Sequence, residues 1–297
     1  MLQRKSLAVY LLIAFPVAWI LFVLPPAFKS ADAVTRQYIT LVCWSAAMWA
    51  PGLAAILTNR LVDHQPASRL GLARLGDKRA YLWAWLVPPL LVIAAGLLTA
   101  LLGVGQPDLE LTAMRQAMSQ QAASPALPPL SVIGLQAVFA LTLAPLFNTL
   151  FALGEELGWR GYLLPTLMPL GKGRAILLSG VIWGVWHWPA ILQGRNYPGQ
   201  PVLGMFLMIG FCVLFGAFLS WLYLRTNSPW APALGHGTLN AVAGFPLLFL
   251  PGVNMALGGT LTSLVGWIPM LLFVGWLIWK RGLLAEEPEP SAQPLTV

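Results

Sequence analysis

Two glutamates and an arginine interrupt a long apolar stretch near the middle of the chain, in Gly154-Glu155-Glu156-Leu157-Gly158-Trp159-Arg160-Gly161-Tyr162. A charge at the centre of a bilayer costs about 2.5–3.5 kcal/mol on insertion scales, so such groups persist where they are paired, wet or used. Glu156 and Arg160 are one helical turn apart and can pair on one face. Glu155 lies about 100° further round the helix and is free to point elsewhere. The chain has only three histidines. His64 falls in a basic loop and reads as a solvated surface residue. His187 and His236 fall inside apolar runs, where an imidazole must face the interior of a helix bundle. Trp183 precedes His187 by one turn, and Asn240 follows His236 by one turn. Gly184, Gly235 and Gly237 flank these positions, and small residues let helices approach closely.

Glu155, His187, His236 and Asn240 together suit hydrolysis of a carbonyl compound. In one route Glu155 and His187 activate water as general bases, while His236 and Asn240 hydrogen-bond the developing oxyanion. In the other, Glu155, His187 and His236 hold a zinc ion, whose bound water is the nucleophile. The residue pattern leaves both routes open. There is no His-Glu-x-x-His zinc motif. A serine or cysteine nucleophile is disfavoured. No Gly-x-Ser-x-Gly element occurs, and neither Cys43 nor Cys212 has a histidine close in sequence. Both cysteines lie in apolar runs and read as buried thiols behaving as small hydrophobes.

The elements that must position these groups are membrane helices. Of 297 residues, 58% are apolar and 9% charged, against about 25% charged in soluble domains. Runs of about 20 apolar residues predict an all-α, polytopic membrane protein with about eight spans. They are Ser6–Leu24, Tyr38–Thr58, Tyr81–Leu102, Val132–Leu153 continuing through the acidic motif, Arg174–Leu192, Val202–Leu224, Ala231–Leu250 and Thr260–Trp279. With these spans, 13 of the 17 lysines and arginines collect on one side. The positive-inside rule then places both termini in the cytoplasm. The net charge of +7 therefore encodes orientation rather than nucleic-acid binding. The fourth helix is expected to end near Leu164, before Pro165. At about 1.5 Å per residue, Glu155, His187 and His236 then lie about 14, 20 and 12 Å from the cytoplasmic helix ends. One transmembrane domain, residues 1–285 with a catalytic core at about 150–245, is expected, followed by a disordered cytoplasmic tail over 286–297. Leu111, Met114 and Met118 recur at helical spacing in the longest outer loop and predict a short surface helix.

Three pieces, in order and on different helices, resemble the motifs of the intramembrane CAAX-type proteases of the CPBP family. Glu155-Glu156-Leu157-Gly158-Trp159-Arg160 matches the family's Glu-Glu-x-x-x-Arg, and His236-Gly237-Thr238-Leu239-Asn240 its His-x-x-x-Asn. Trp183-Gly184-Val185-Trp186-His187 is similar to its Phe-x-x-x-His, with the aromatic Trp183 in place of the Phe. The resemblance covers about Leu153 to Ala241. It implies an eight-helix intramembrane endopeptidase opening to the cytoplasm, metallo- or glutamate-dependent, with Zn2+ as the cofactor in the metal version. Glu155, His187, His236 and Asn240 would be catalytic, and Glu156, Arg160 and Trp183 supporting. The implied substrate is a membrane-associated protein, including CAAX-type prenylated ones, and the implied location a prokaryotic inner membrane. The competing readings are a non-enzymatic partner-binding protein, such as a bacteriocin self-immunity factor, and a transporter that relays protons through its buried acids and histidines.

Overall fold

The computed structural model describes residues 3–119 and 128–285, and every regular element in them is helical. The expected tail over 286–297 lies outside the described residues. Helices α1 (Arg4–Val23), α2 (Ala33–Ala47), α3 (Ala50–Leu61) and α4 (Arg79–Leu101) form the N-terminal part. The short α5 (Thr112–Ser119) follows where a surface helix was expected, its first turn capped by the Asp108 carboxylate. Next come α6 (Pro129–Leu141), α7 (Leu143–Gly158), a π-helical turn (Trp159–Leu163) and the single turn α8 (Leu164–Leu167). Helices α9 (Lys172–Trp186), α10 (Trp188–Leu192), α11 (Pro201–Thr226), α12 (Trp230–Val242) and α13 (Leu264–Arg281) complete the described chain.

Among the described residues, five helical stretches are long and apolar enough to cross a bilayer: Arg4–Ala27, Ala33–Leu61, Arg79–Leu101, Pro201–Thr226 and Leu264–Arg281. The pair Pro129–Leu141 and Leu143–Leu170, bent by 47°, makes a sixth. Leu12, Leu90 and Leu272 stand exposed on outer faces while Glu155, Glu156 and Arg160 are buried. The chain is an integral membrane protein. Four of the eight spans read from hydropathy are divided into shorter pieces: Tyr38–Thr58 between α2 and α3, Val132–Leu153 between α6 and α7, and two more. Arg174–Leu192 breaks at His187 into α9 and α10, and Ala231–Leu250 becomes α12 followed by a 3-10 turn, Phe245–Leu248.

Prolines set these breaks. A proline inside a helix lacks its N–H and crowds the carbonyl four residues back. Pro145 frees the Leu141 carbonyl at the α6–α7 bend, and Trp85 Nε1 on α4 donates to that oxygen at 2.7 Å. A neighbouring helix thus re-satisfies the exposed group, as an apolar medium requires. Pro189 ends α9 just before it, leaving His187 as the cap. Pro165, by contrast, does not end its helix. The π-helical turn carries the chain past it, and the proline sits in the first turn of α8, where its missing N–H costs nothing.

Glycines let the site-bearing helices cross closely. Gly154 and Gly158 form a small-xxx-small pair on α7. A Cβ added at Gly158 would come within 2.4 Å of Pro51 on α3, and one at Gly154 within 2.7 Å of the Trp49 Cα. Gly180 and Gly184 repeat the pattern on α9, where added Cβ atoms would lie 2.6 and 2.5 Å from Val213 and Ile209 Cα on α11. Gly237 on α12 faces the Thr149 nitrogen of α7 at 2.6 Å on the same measure. The loop between α3 and α4 lies across the α11–α12 corner. Asp77 pairs with Arg225 at 2.9 Å, and Trp230 Nε1 donates to the Leu72 carbonyl at 2.9 Å. The Arg225 hydrogen bond holds the Asp77 carboxyl below its usual range.

These crossings predict an asymmetry among glycines. Overpacking a tight contact costs about 1–3 kcal/mol, so Gly184→Val should lower the midpoint of thermal unfolding in detergent. Gly275→Ala, which adds its methyl to open space on α13, should not lower it. Equal midpoints in the two variants would show that the α9–α11 contact is not tight.

Candidate active site

Glu156 is fully buried. Arg160 Nη1, one turn along, donates to both of its carboxylate oxygens at 2.8 Å. His236 on α12 approaches Oε1 through Nδ1 at 2.9 Å. A carboxylate oxygen accepts, so Nδ1 carries a proton and Nε2 is turned away from the pair. The guanidinium is itself boxed in. Its Cζ lies 4.5 Å from the Trp183 ring centroid, in cation–π range, and a Cβ at Gly216 on α11 would sit 3.1 Å from its Nη2.

Glu155 is solvated differently. It is 2% exposed, and its Oε2 accepts two indole N–H groups, from Trp183 at 2.7 Å and from Trp159 at 3.3 Å. These donors are neutral, so they satisfy the carboxylate without cancelling its charge. Oε1 accepts no hydrogen bond from the described residues. Glu155 therefore keeps an open acceptor oxygen, while both oxygens of Glu156 are engaged.

His187 caps the broken end of α9 and is only partly buried. Its Nδ1 lies 2.8 Å from the Trp183 carbonyl. A carbonyl only accepts, so Nδ1 donates and Nε2 holds the lone pair. The imidazole stands edge-on to Trp186, with ring centroids 4.9 Å apart. The Trp183 ring has His187 at 5.7 Å on one side and His236 at 5.3 Å on another. One tryptophan thus touches Glu155, Arg160 and both histidines.

The expected residues do not all converge. Glu155, Glu156, Arg160, Trp183, His187 and His236 form one cluster. Asn240 shares α12 with His236, but its side chain is exposed and makes no hydrogen bond with the described residues. His64 is exposed in its loop, as expected. Three features went unread in the sequence. Trp159 donates to Glu155, and its position one turn after Glu155 is the signal that was available. Tyr10 on α1 packs its ring 6.1 Å from Trp159 and 5.0 Å from Tyr162. Cys212 Sγ lies 3.9 Å from His187 Nδ1, a long-range proximity that spacing does not encode. That sulfur faces the protonated ring nitrogen, not the basic one.

The zinc set expected from sequence was Glu155, His187 and His236. Among the described residues, no three His, Cys, Asp or Glu side chains are grouped as a metal site needs. The three surround the Trp183 ring rather than one common point. The nearby Glu156 is taken up by Arg160 and His236. In this arrangement the residues do not fit a three-ligand zinc centre.

The segment that carries the cluster is also where this chain is similar to known proteins. Residues 134–242 match the family described as type II CAAX prenyl endopeptidase Rce1-like. A human CAAX prenyl protease 2 is 33% identical over 99 residues, which is 32% of this chain and 30% of that protein. The Arabidopsis thaliana CAAX prenyl protease 2 is 31% identical over 126 residues, 40% of each chain. One from Methanococcus maripaludis is 32% identical over 98 residues, 30% of this chain and 32% of that protein. The chain thus spans 30 to 40% of the length of these curated relatives. Residues 134–242, the stretch similar to the Rce1-like CAAX prenyl endopeptidases, contain Glu155, Glu156, Arg160, Trp183, His187, His236 and Asn240.

Proposed function

We propose that the chain is an intramembrane endopeptidase that hydrolyses a peptide bond in a membrane-associated protein, with CAAX-type prenylated proteins as the substrate class. The observation that carries this reading is the Glu155 carboxylate, buried yet held only by two neutral indole donors, with His187 packed beside the same tryptophan. A carboxylate so placed can accept a proton from water. Glu155 and His187 Nε2 draw that proton as the water oxygen adds to the scissile carbonyl carbon. The charge that develops on the carbonyl oxygen is met by His236. Glu156 holds the His236 ring through Nδ1, and in the protonated ring Nε2–H donates to the oxyanion. Asn240, one turn further along α12, assists from the exposed side. Collapse of the tetrahedral intermediate returns the proton from the Glu155–His187 pair to the departing amine.

The same reading places eight crossings, both termini and the mouth of the site on the cytoplasmic scheme of the positive-inside rule, in a prokaryotic cell membrane. The support is the division of basic residues: with the buried Arg160 set aside, 12 of the other 16 fall on one side. Glu155, His187 and His236 are the residues that would hold zinc if one binds, and the ion would supply an acidified water. Because they are not grouped for it, no step is routed through the metal.

Three measurements bear on this. In detergent, the wild type should cleave a prenylated CAAX-type peptide. Glu155→Gln, His187→Ala and His236→Ala should each lose about 100-fold or more, the range expected of general acid–base groups. Wild-type rates in all three variants would remove the assignment. Cleavage should survive prolonged chelation, with no zinc found by elemental analysis of the active protein. Activity lost on chelation and restored by zinc alone would select the metal version instead. Arg160→Ala leaves Glu156 buried with a single histidine partner. Breaking a buried pair in this way costs about 3–5 kcal/mol, so denaturant midpoints should fall steeply, while Arg160→Ala/Glu156→Ala should recover part of the loss.

A further inference from the structure

The π-helical turn Trp159–Leu163 is an uncommon backbone, and it carries two of the groups that hold the acidic pair. Leu164 N donates to the Trp159 carbonyl, five residues back, in place of the usual four. Such widened turns are rare and persist where neighbours favour them, frequently at functional sites. The neighbour here is remote in sequence. The Tyr162 hydroxyl donates to Asp63 Oδ2 at 2.9 Å, 99 residues away. Both side chains are shielded, Tyr162 at 1% and the Asp63 side chain at 2% exposure. Asp63 is anchored in turn. Arg69 Nη1 donates to the same oxygen at 2.9 Å, and the Asn59 amide ties the loop by bonds to the Gln65 and Pro66 carbonyls at 3.0 and 3.2 Å. Asp63 lies outside the family-matched segment 134–242.

We propose that Asp63 is a positioning residue, which acts through the Tyr162 hydroxyl to hold the π-helical turn in register. That register sets where Trp159 presents its N–H to Glu155 and where Arg160 presents its guanidinium to Glu156. The catalytic part of this proposal rests on the peptidase reading above, while the conformational part stands apart from it.

The test therefore has two readouts. Hydrogen–deuterium exchange on the full-length protein in detergent reports the turn directly. In Tyr162→Phe and Asp63→Ala, the amides of residues 159–164 should exchange about tenfold faster, as loss of a hydrogen bond to a charged acceptor allows. Asp63→Asn keeps an acceptor for the hydroxyl and should restore most of the protection. Arg69→Gln removes one anchor of Asp63 but leaves the Tyr162–Asp63 bond, and should speed exchange less than Tyr162→Phe does. In the peptide assay, Tyr162→Phe and Asp63→Ala should lower kcat about tenfold with KM unchanged. Their double variant should be no worse than either alone, because one bond is removed only once. Unchanged exchange in Tyr162→Phe overturns the clamp whatever the peptide assay gives. Faster exchange with an unaltered kcat overturns its positioning role. A wild type that cleaves no peptide, yet shows the expected exchange pattern, overturns the peptidase reading and leaves the clamp supported.

Discussion

A carboxylate enclosed by a helix bundle in an apolar medium must be paired, and the structure is arranged around how two adjacent carboxylates meet that demand. Burying an isolated ion is far more costly than any single contact can offset. Glu156 meets it with a guanidinium one turn along its own helix and an imidazole from α12. Glu155 meets it with two indole N–H groups. The difference matters chemically. An ion pair occupies a carboxylate with an opposite charge, whereas the two indoles occupy only one oxygen of Glu155. Two like residues at consecutive positions thus meet burial in different ways, one by ion pairing and one by neutral hydrogen bonds.

That difference depends on short distances between backbones. Helices that carry large side chains at their crossings stand about 8–10 Å apart, and polar groups on different helices would then seldom touch. Gly154, Gly158, Gly180, Gly184 and Gly237 remove the spacer at the α7–α3, α9–α11 and α12–α7 crossings. Prolines supply the complementary device. Pro145 bends the α6–α7 pair and Pro189 ends α9, so that His187 sits at a helix end with its ring partly exposed instead of locked inside a ladder. The freed Leu141 carbonyl is taken by Trp85, which shows how a break inside a membrane bundle is tolerated.

Tryptophan is the common material of the site. Its indole offers a broad apolar body that packs like lipid and one N–H that can reach a polar partner. Trp183 uses every part of itself: N–H to Glu155, ring face to Arg160, ring edges to two histidines, and backbone carbonyl to His187. Trp159 and Trp186 extend the same wall, which reaches α1 through Tyr10. The N-terminal helices thus complete the site even though the family match begins at residue 134.

Much of this was legible in the order of residues. The excess of apolar over charged residues fixes membrane helices, because no soluble surface can be built from so few charges. The turn-spaced pairs Glu156–Arg160, Trp183–His187 and His236–Asn240 are local, and helical geometry alone puts each pair on one face. Local spacing cannot decide which helix lies beside which, and there the readings diverged. The Glu156–His236 bond, the Trp183 N–H to Glu155 and the Asp63–Tyr162 contact join residues 80, 28 and 99 positions apart. Asn240 shares a helical face with His236 yet stays outside the hydrogen-bonded cluster, because α12 turns it to an exposed position. The continuous spans read from hydropathy also failed to show the breaks at His187 and the α6–α7 bend. An apolar run reports burial in lipid, whereas a helix stops where a proline removes a hydrogen bond and a neighbour is close enough to replace it.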